Sequence, residues 1–174
     1  MKFLALFIMS TLFTQCEIFK DDDFRLLPLT PYIGNQLRID GYYYRVADGS
    51  NFKEGSIYST FLFYENGITL NSGGVENNLE AMDEYIKRCT DYHFQKSKIG
   101  WGVFVIEDNT IKIEYWYPGP PHHFYMREGV ILNDTTFHIT KSYRSNGKEQ
   151  KIKDEIYHFR QFSPKPDSTN VFIK

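Results

Sequence analysis

Turn signals recur along this chain about one strand length apart, and they constrain the fold more than any other feature. Asn66-Gly67 lies between the β-type runs Ile57–Tyr64 and Ile68–Leu70, and Asn-Gly in that setting is the strongest short-range hairpin signal. Asp108-Asn109-Thr110 joins Trp101–Glu107 to Ile111–Tyr117, and Asn133-Asp134 turns His123–Leu132 into Thr135–Tyr143. Ser145-Asn146-Gly147-Lys148 then leads to Lys151–Phe162. A first strand over Leu37–Val46 is followed by a loop at Ala47–Gly55. Within these runs the side chains alternate with the period of a strand. Leu37, Ile39 and Tyr43 share a face, as do Phe137 and Ile139, and Tyr157 and Phe159 point inward. Ile111, Ile113, Tyr115 and Tyr117 alternate with Lys112, Glu114 and Trp116, the mark of a half-buried strand. Gly129 predicts a bulge inside its strand.

The expected class is mainly β, an antiparallel meander of about eight strands. Such a sheet hides its edges best by closing, and eight strands leave an interior that side chains fill or that holds one small ligand. A strongly bent sheet with a helix packed on it is the alternative. The helix is predicted over about residues 75–89, where Leu79, Met82, Ile86 and Cys89 recur at helical spacing. Its opening is acidic and its end, Lys87-Arg88, is basic, as the helix dipole prefers. The barrel domain runs over 37–162, and 163–174 reads as a tail with Val171–Ile173 docked.

The amino terminus carries a different message. Lys2 precedes the apolar run Phe3–Phe13, then Thr14-Gln15-Cys16 and, a few residues on, Lys20-Asp21-Asp22-Asp23. A charged start followed by an apolar run of about 7–15 residues is a secretory signal pattern, and it is too short to span a bilayer. The run ends at a cysteine. Leu12-Phe13-Thr14-Gln15-Cys16 resembles the lipobox of bacterial lipoproteins, with Phe13 where Leu is usual and Gln15 where a small residue is usual. Lipoproteins of the Bacteroidota accept a looser lipobox, and Lys20–Asp23 is similar to their surface-export signal. The resemblance implies that 1–15 is a signal peptide, that Cys16 is acylated, and that 16–36 is a tether leading into the domain. It also implies an outer-membrane location with the bilayer as a partner. Each buried lipid methylene contributes about 0.8 kcal/mol, and stable anchoring takes more than one chain, which full acylation of Cys16 provides. Strands with a helix between an early and a late group likewise resemble the lipocalin-like lipoproteins of that group, although no lipocalin signature motif is present.

Net charge is −2 and no basic run stands out, which argues against a nucleic-acid partner. With Cys16 acylated, Cys89 has no disulfide partner, so it is expected in the core and the fold rests on apolar packing. Aromatic residues make up 17% of the chain, enough to fill a β-core or to line a cavity.

Catalytic signals are sparse. Glu107, Asp108 and Glu114 cluster about one hairpin, the residue type of a glycosidase pair but also of an ordinary solvated turn. Gly-x-Ser-x-Gly, phosphate-loop and dinucleotide motifs are absent, and adjacent histidines on a strand point to opposite faces, which suits no shared metal. No catalytic residue, metal or cofactor is therefore assigned. The candidate binding rim is Trp116, Tyr117, His122, His123, Phe124 and Tyr125, aromatic and histidine residues around a proline-rich loop. The leading expectation is a non-enzymatic binding lipoprotein, taking a small apolar ligand in the barrel or an envelope protein at the rim. An interaction lipoprotein with a filled core is the alternative, and a hydrolase of envelope or sugar substrates ranks below both.

Overall fold

The computed structural model describes residues 25–89, 95–119 and 122–174. Its strands are β1 (Gly41–Val46), β2 (Ile57–Phe63), β3 (Ile68–Asn71), the short β4 (Val75–Glu76), β5 (Trp101–Glu107), β6 (Thr110–Tyr117), β7 (His123–Asn133), β8 (Thr136–Arg144) and β9 (Lys151–Gln161). Helix α1 (Leu79–Arg88) separates β4 from β5. Each turn dipeptide makes its hairpin, and every neighbouring pair is antiparallel. β1 pairs with β9 through Tyr43↔Phe159 and with β2 through Tyr43↔Phe61, so eight strands close into a barrel. β4 continues the β3 edge of β2, with Ile57↔Glu76 and Tyr58↔Val75. The bulge expected at Gly129 falls between Glu128 and Gly129, where the β7–β8 register shifts.

Alternation sends one set of rings inward. Tyr43, Phe61, Phe63, Phe104, Phe137 and Tyr157 fill the lower barrel together with Ile111, Ile113 and Ile139. Phe137 stacks on Tyr157 at 4.8 Å between centroids, and Phe63 packs on Phe104 at 4.7 Å. The floor is sealed by the chain leading into β1. Leu37 is buried there, Tyr32 packs on Phe104, and the Tyr43 hydroxyl donates to the Asp134 carbonyl at 2.8 Å.

The outward set is also buried over much of the wall. Tyr42, Leu62, Leu70, Trp101 and Val103 form a second apolar layer under Met82 and Ile86 of α1, Leu27 and Leu29 of the lead-in, and Ile173 of the tail. Full burial of Met82 and Ile86 contributes about 1.5–3 kcal/mol each. β6 is accordingly not half-buried as its sequence suggests, since Glu114 and Trp116 on its outer face are buried too.

Helix α1 starts at Leu79, later than the pattern over about 75–89 implies, because Val75–Glu76 pairs with β2 and the Asn78 side chain caps the helix by accepting from the Ala81 N–H at 2.8 Å. Asp83 fastens the helix to the barrel: it accepts from the Tyr42 hydroxyl at 2.8 Å and from Arg160 Nη2 at 2.6 Å. Cys89, at the helix C-cap, is buried as expected.

Gly67 is the glycine whose place is most constrained. Its φ is +81°, and a Cβ there would stand 2.1 Å from the Thr30 carbonyl oxygen. Both the turn and the close approach of the lead-in require a hydrogen at that position.

Candidate functional site

The two ends of the barrel differ. The filled end carries the turns at Asn66, Asp108 and Asp134. At the other end Arg45, Tyr58 and Ser59, Asn71, Tyr115 and Tyr117, His123 to Arg127, Ser142 and Lys151 to Glu155 come from the ends of seven strands. Here two adjoining cavities of about 490 and 250 Å³ share Tyr115, Tyr117 and Arg127 in their walls. The larger is in the usual range of about 300–1,000 Å³ for a small-molecule site. Together they form a cup in the barrel mouth, standing on the aromatic floor.

An ionic cluster organises the cup. Glu155 on β9 receives Arg45 Nη1 from β1 at 2.8 Å, Arg127 Nη1 from β7, and Lys153 Nζ at 3.2 Å. Arg127 Nε donates to the Tyr115 hydroxyl at 3.1 Å, and its Nη1 reaches the Tyr157 hydroxyl at 3.4 Å. Ser59 meets Tyr157 from β2, with 3.0 Å between hydroxyl oxygens. Ser59 has a φ of 50°, in the region an L-residue seldom occupies, beside the irregular β1–β2 register that lets Arg45 enter the mouth. The Arg45 guanidinium lies over the Tyr58 ring at 4.7 Å. Side-chain exposure is 17% for Arg45, 13% for Arg127 and 7% for Glu155, so these charges are only weakly screened.

Burial alone would raise the Glu155 carboxyl, but Arg127, Arg45 and Lys153 outweigh it and hold the group below the usual carboxylate range. Burial pushes the Tyr157 phenol up to about 12, with Arg127 opposing.

The candidate rim residues separate by parity. Tyr117, His123 and Tyr125 face the cup, their rings 5.6–6.1 Å apart. Trp116 and Phe124 face outward and pack edge to face at 5.3 Å, with Lys98 Nζ 3.7 Å from the Trp116 ring centre. His122 is exposed, edge-on to Trp116 at 6.5 Å. Cys16 and Lys20–Asp23 lie outside the described residues. Arg45, Arg127, Lys153 and Glu155 were not singled out from sequence. Parity marks them, since Glu155 shares its face with Tyr157, and Arg127 with Tyr125.

The carboxylates considered as an acid pair do not converge. Glu107 is exposed and paired with Lys112 at 2.9 Å, and Asp108 is exposed at the turn with a φ of 54°. Glu114 is fully buried on the outer wall, where it accepts from the backbone N–H groups of Leu26 at 2.9 Å and Leu27 at 2.7 Å and from the Ser145 hydroxyl. It latches the lead-in onto the barrel. Among the described residues no group of three His, Cys, Asp or Glu side chains is placed to hold a metal. A depression of about 540 Å³ beside Lys165 lies on the outside of the closed end and opens widely to solvent.

The fold and site define the class of protein as a closed eight-stranded antiparallel barrel with a filled floor and an open, ionised mouth. Compared with known proteins, the chain matches no family model, no curated protein and no solved structure.

Proposed function

We propose that this chain is a lipid-anchored envelope protein that binds a small ligand, without chemistry, in the mouth of its barrel. The observation that carries the reading is the division of the interior. Aromatic side chains fill the floor, while the upper part stays open and is lined by groups from seven strands on a rigid wall. Burial of a ligand there needs no opening of the core. A wholly apolar chain reaching down the barrel axis would have to displace Phe61, Tyr115 and Tyr157, so the ligand sits high.

The anchor is supported by the sequence around Cys16. Among the described residues no helix is long and apolar enough to cross a membrane. Replacing Cys16 with Ala is expected to abolish incorporation of labelled fatty acid, and continued labelling would remove the anchor from the reading.

The cup is tested with phenylnaphthylamine (NPN), a neutral fluorescent probe, and anilinonaphthalene sulfonate (ANS), the same ring system with an added sulfonate. Saturable one-to-one binding of at least one, weakened when Phe52 and Tyr117 at the lip are both changed to Ala, is expected. Absence of saturable binding by either probe overturns the proposed function.

A second reading has an observation of its own. Val46, Phe52, Val75, Ile99 and Tyr117 are all exposed around the same mouth. Such an apolar ring is the kind of surface on which an envelope protein docks. A mouth occupied by a protein would leave both probes unbound in the complex and bound in the isolated chain.

A further inference from the structure

Resting on the cup as a binding site, we infer that its ligand is a small organic anion: a carboxylate, sulfonate or phosphate joined to a flat apolar body. Three cationic side chains, Arg45, Arg127 and Lys153, converge on one carboxylate, Glu155. The cluster therefore carries an excess of positive charge inside a concave wall. Of the other carboxylates nearby, exposed Asp48 feels the Arg45 charge and offsets part of the excess, which Lys151 at the lip more than restores. Asp48 accepts from the Ser50 N–H and hydroxyl, and Glu149 pairs with Arg144 at 3.1 Å.

The donors are arranged for an oxyanion as well as charged. Arg127 uses Nε and Nη1 in the bonds described, and Nη2 takes no part in them. Tyr115 accepts from Arg127 and keeps its own hydroxyl hydrogen for another acceptor. Ser142, on the register opposite Arg127 and Lys151, is fully buried behind this wall and lines neither cavity. Guanidinium forks match planar oxyanions, and Arg is the usual choice for that recognition.

The rest of the wall sets the other half of the ligand. Phe52 and Tyr58 pack at 4.9 Å, and Tyr117 and Tyr125 at 5.9 Å, giving aromatic faces on both sides of the charged centre. Glu155 then has a defined part: it occupies the arginines when the cup is empty and shares them when an anion enters.

The test compares the matched probes on the full mature protein at fixed ionic strength. ANS is expected to bind at least about tenfold more tightly than NPN, the advantage of a charge-assisted contact. Arg45→Gln and Lys153→Gln should each reduce that advantage of ANS over NPN severalfold. Benzoate and inorganic phosphate should both displace ANS, and their order tells whether an organic body is needed. Lys153 is the more exposed of the two, so Lys153→Gln decides if Arg45→Gln fails to fold. Equal affinity for ANS and NPN overturns the anion assignment while leaving the cup as a binding site. An ANS advantage that survives both variants also overturns it, because the sulfonate would then be bound elsewhere. Failure of both probes removes the cup itself.

Discussion

Glu155→Gln is the sharpest perturbation of the charged mouth. The carboxamide keeps the shape and one acceptor but removes the charge that holds Arg45, Arg127 and Lys153 together. Removing one partner of a buried ion pair costs about 3–5 kcal/mol, because the remaining charge is left uncompensated. The retained amide oxygen and the partial exposure of Lys153 place this case near the lower end, about 3 kcal/mol. For a domain of this size that corresponds to a fall in Tm of about 6–12 °C. The pH dependence has a definite sign. The folded carboxyl titrates below its unfolded value, so its contribution is fully present above about pH 4.3 and is lost as pH falls through the lower folded value. The gap between native and variant, read by urea unfolding, should be full at pH 7 and shrink as pH falls below about 4.3. Formate or acetate should restore part of the variant's stability at pH 7 where chloride at equal ionic strength does not. An anion at 100 times its Kd returns about 2.7 kcal/mol. A variant within 1 kcal/mol of the native protein, or one that acetate and chloride affect alike, would refute the view that the mouth carries uncompensated positive charge.

Three further outcomes follow from the wall and the floor. Glu114→Ala should free the lead-in, since two N–H groups and a hydroxyl lose a buried charged acceptor; a loss of about 3 kcal/mol is expected, with trypsin cutting after Arg25 under native conditions. Unchanged cleavage would mean that the strap is held by other contacts. Gly67→Ala combines a positive φ with a Cβ against the Thr30 carbonyl and should cost about 2–3 kcal/mol in urea unfolding, whereas a loss below 1 kcal/mol would show that the lead-in yields at no expense. Burial pushes the Lys165 ammonium down to about 8, even though Nζ donates to the Ile39 and Phe63 carbonyls at 2.5 and 2.7 Å. The folded state therefore gives up this proton before the unfolded chain does, and stability should rise between about pH 8 and 10. Lys165→Met should flatten that rise in urea midpoints, and a native protein with no rise would show that the two carbonyls keep the ammonium charged.

The hairpin order was legible in the sequence because turn chemistry is local: Asn66-Gly67, Asn109 and Asn146-Gly147 fix their turns whatever surrounds them. Closure of the meander into a barrel was also expected, on the general ground that an open one exposes two edges, and it is made between the first and last strands, β1 and β9. What local pattern cannot report is how many faces of a strand are covered. Lys112, Glu114 and Trp116 read as a solvent face, yet the lead-in places two backbone N–H groups on Glu114, and Lys98 and Phe124 cover Trp116. Leu26 and Leu27 stand 88 and 87 residues from Glu114, so no window around β6 contains them.

The site was hidden for a related reason. An aromatic and histidine cluster in one stretch drew attention to Trp116–Tyr125, but alternation assigns only Tyr117, His123 and Tyr125 to the mouth. The charged centre is spread over β1, β7 and β9 and becomes a cluster only when the barrel closes. A charge on the inward face of a strand that is otherwise aromatic is nevertheless a signal in its own right. Tyr43 is followed inward by Arg45, and Tyr157 is preceded inward by Glu155. Each would be costly in a filled core without a partner. The two strands pair in the sheet with Tyr44 opposite His158, so Arg45 stands on the diagonal from Glu155, close enough for the two charges to answer one another. Arg127 then arrives from β7, two strands along the wall, as a second cation for a carboxylate that Arg45 already balances. A core that needed only electrical neutrality would stop at one arginine, and the second is what the anion inference explains.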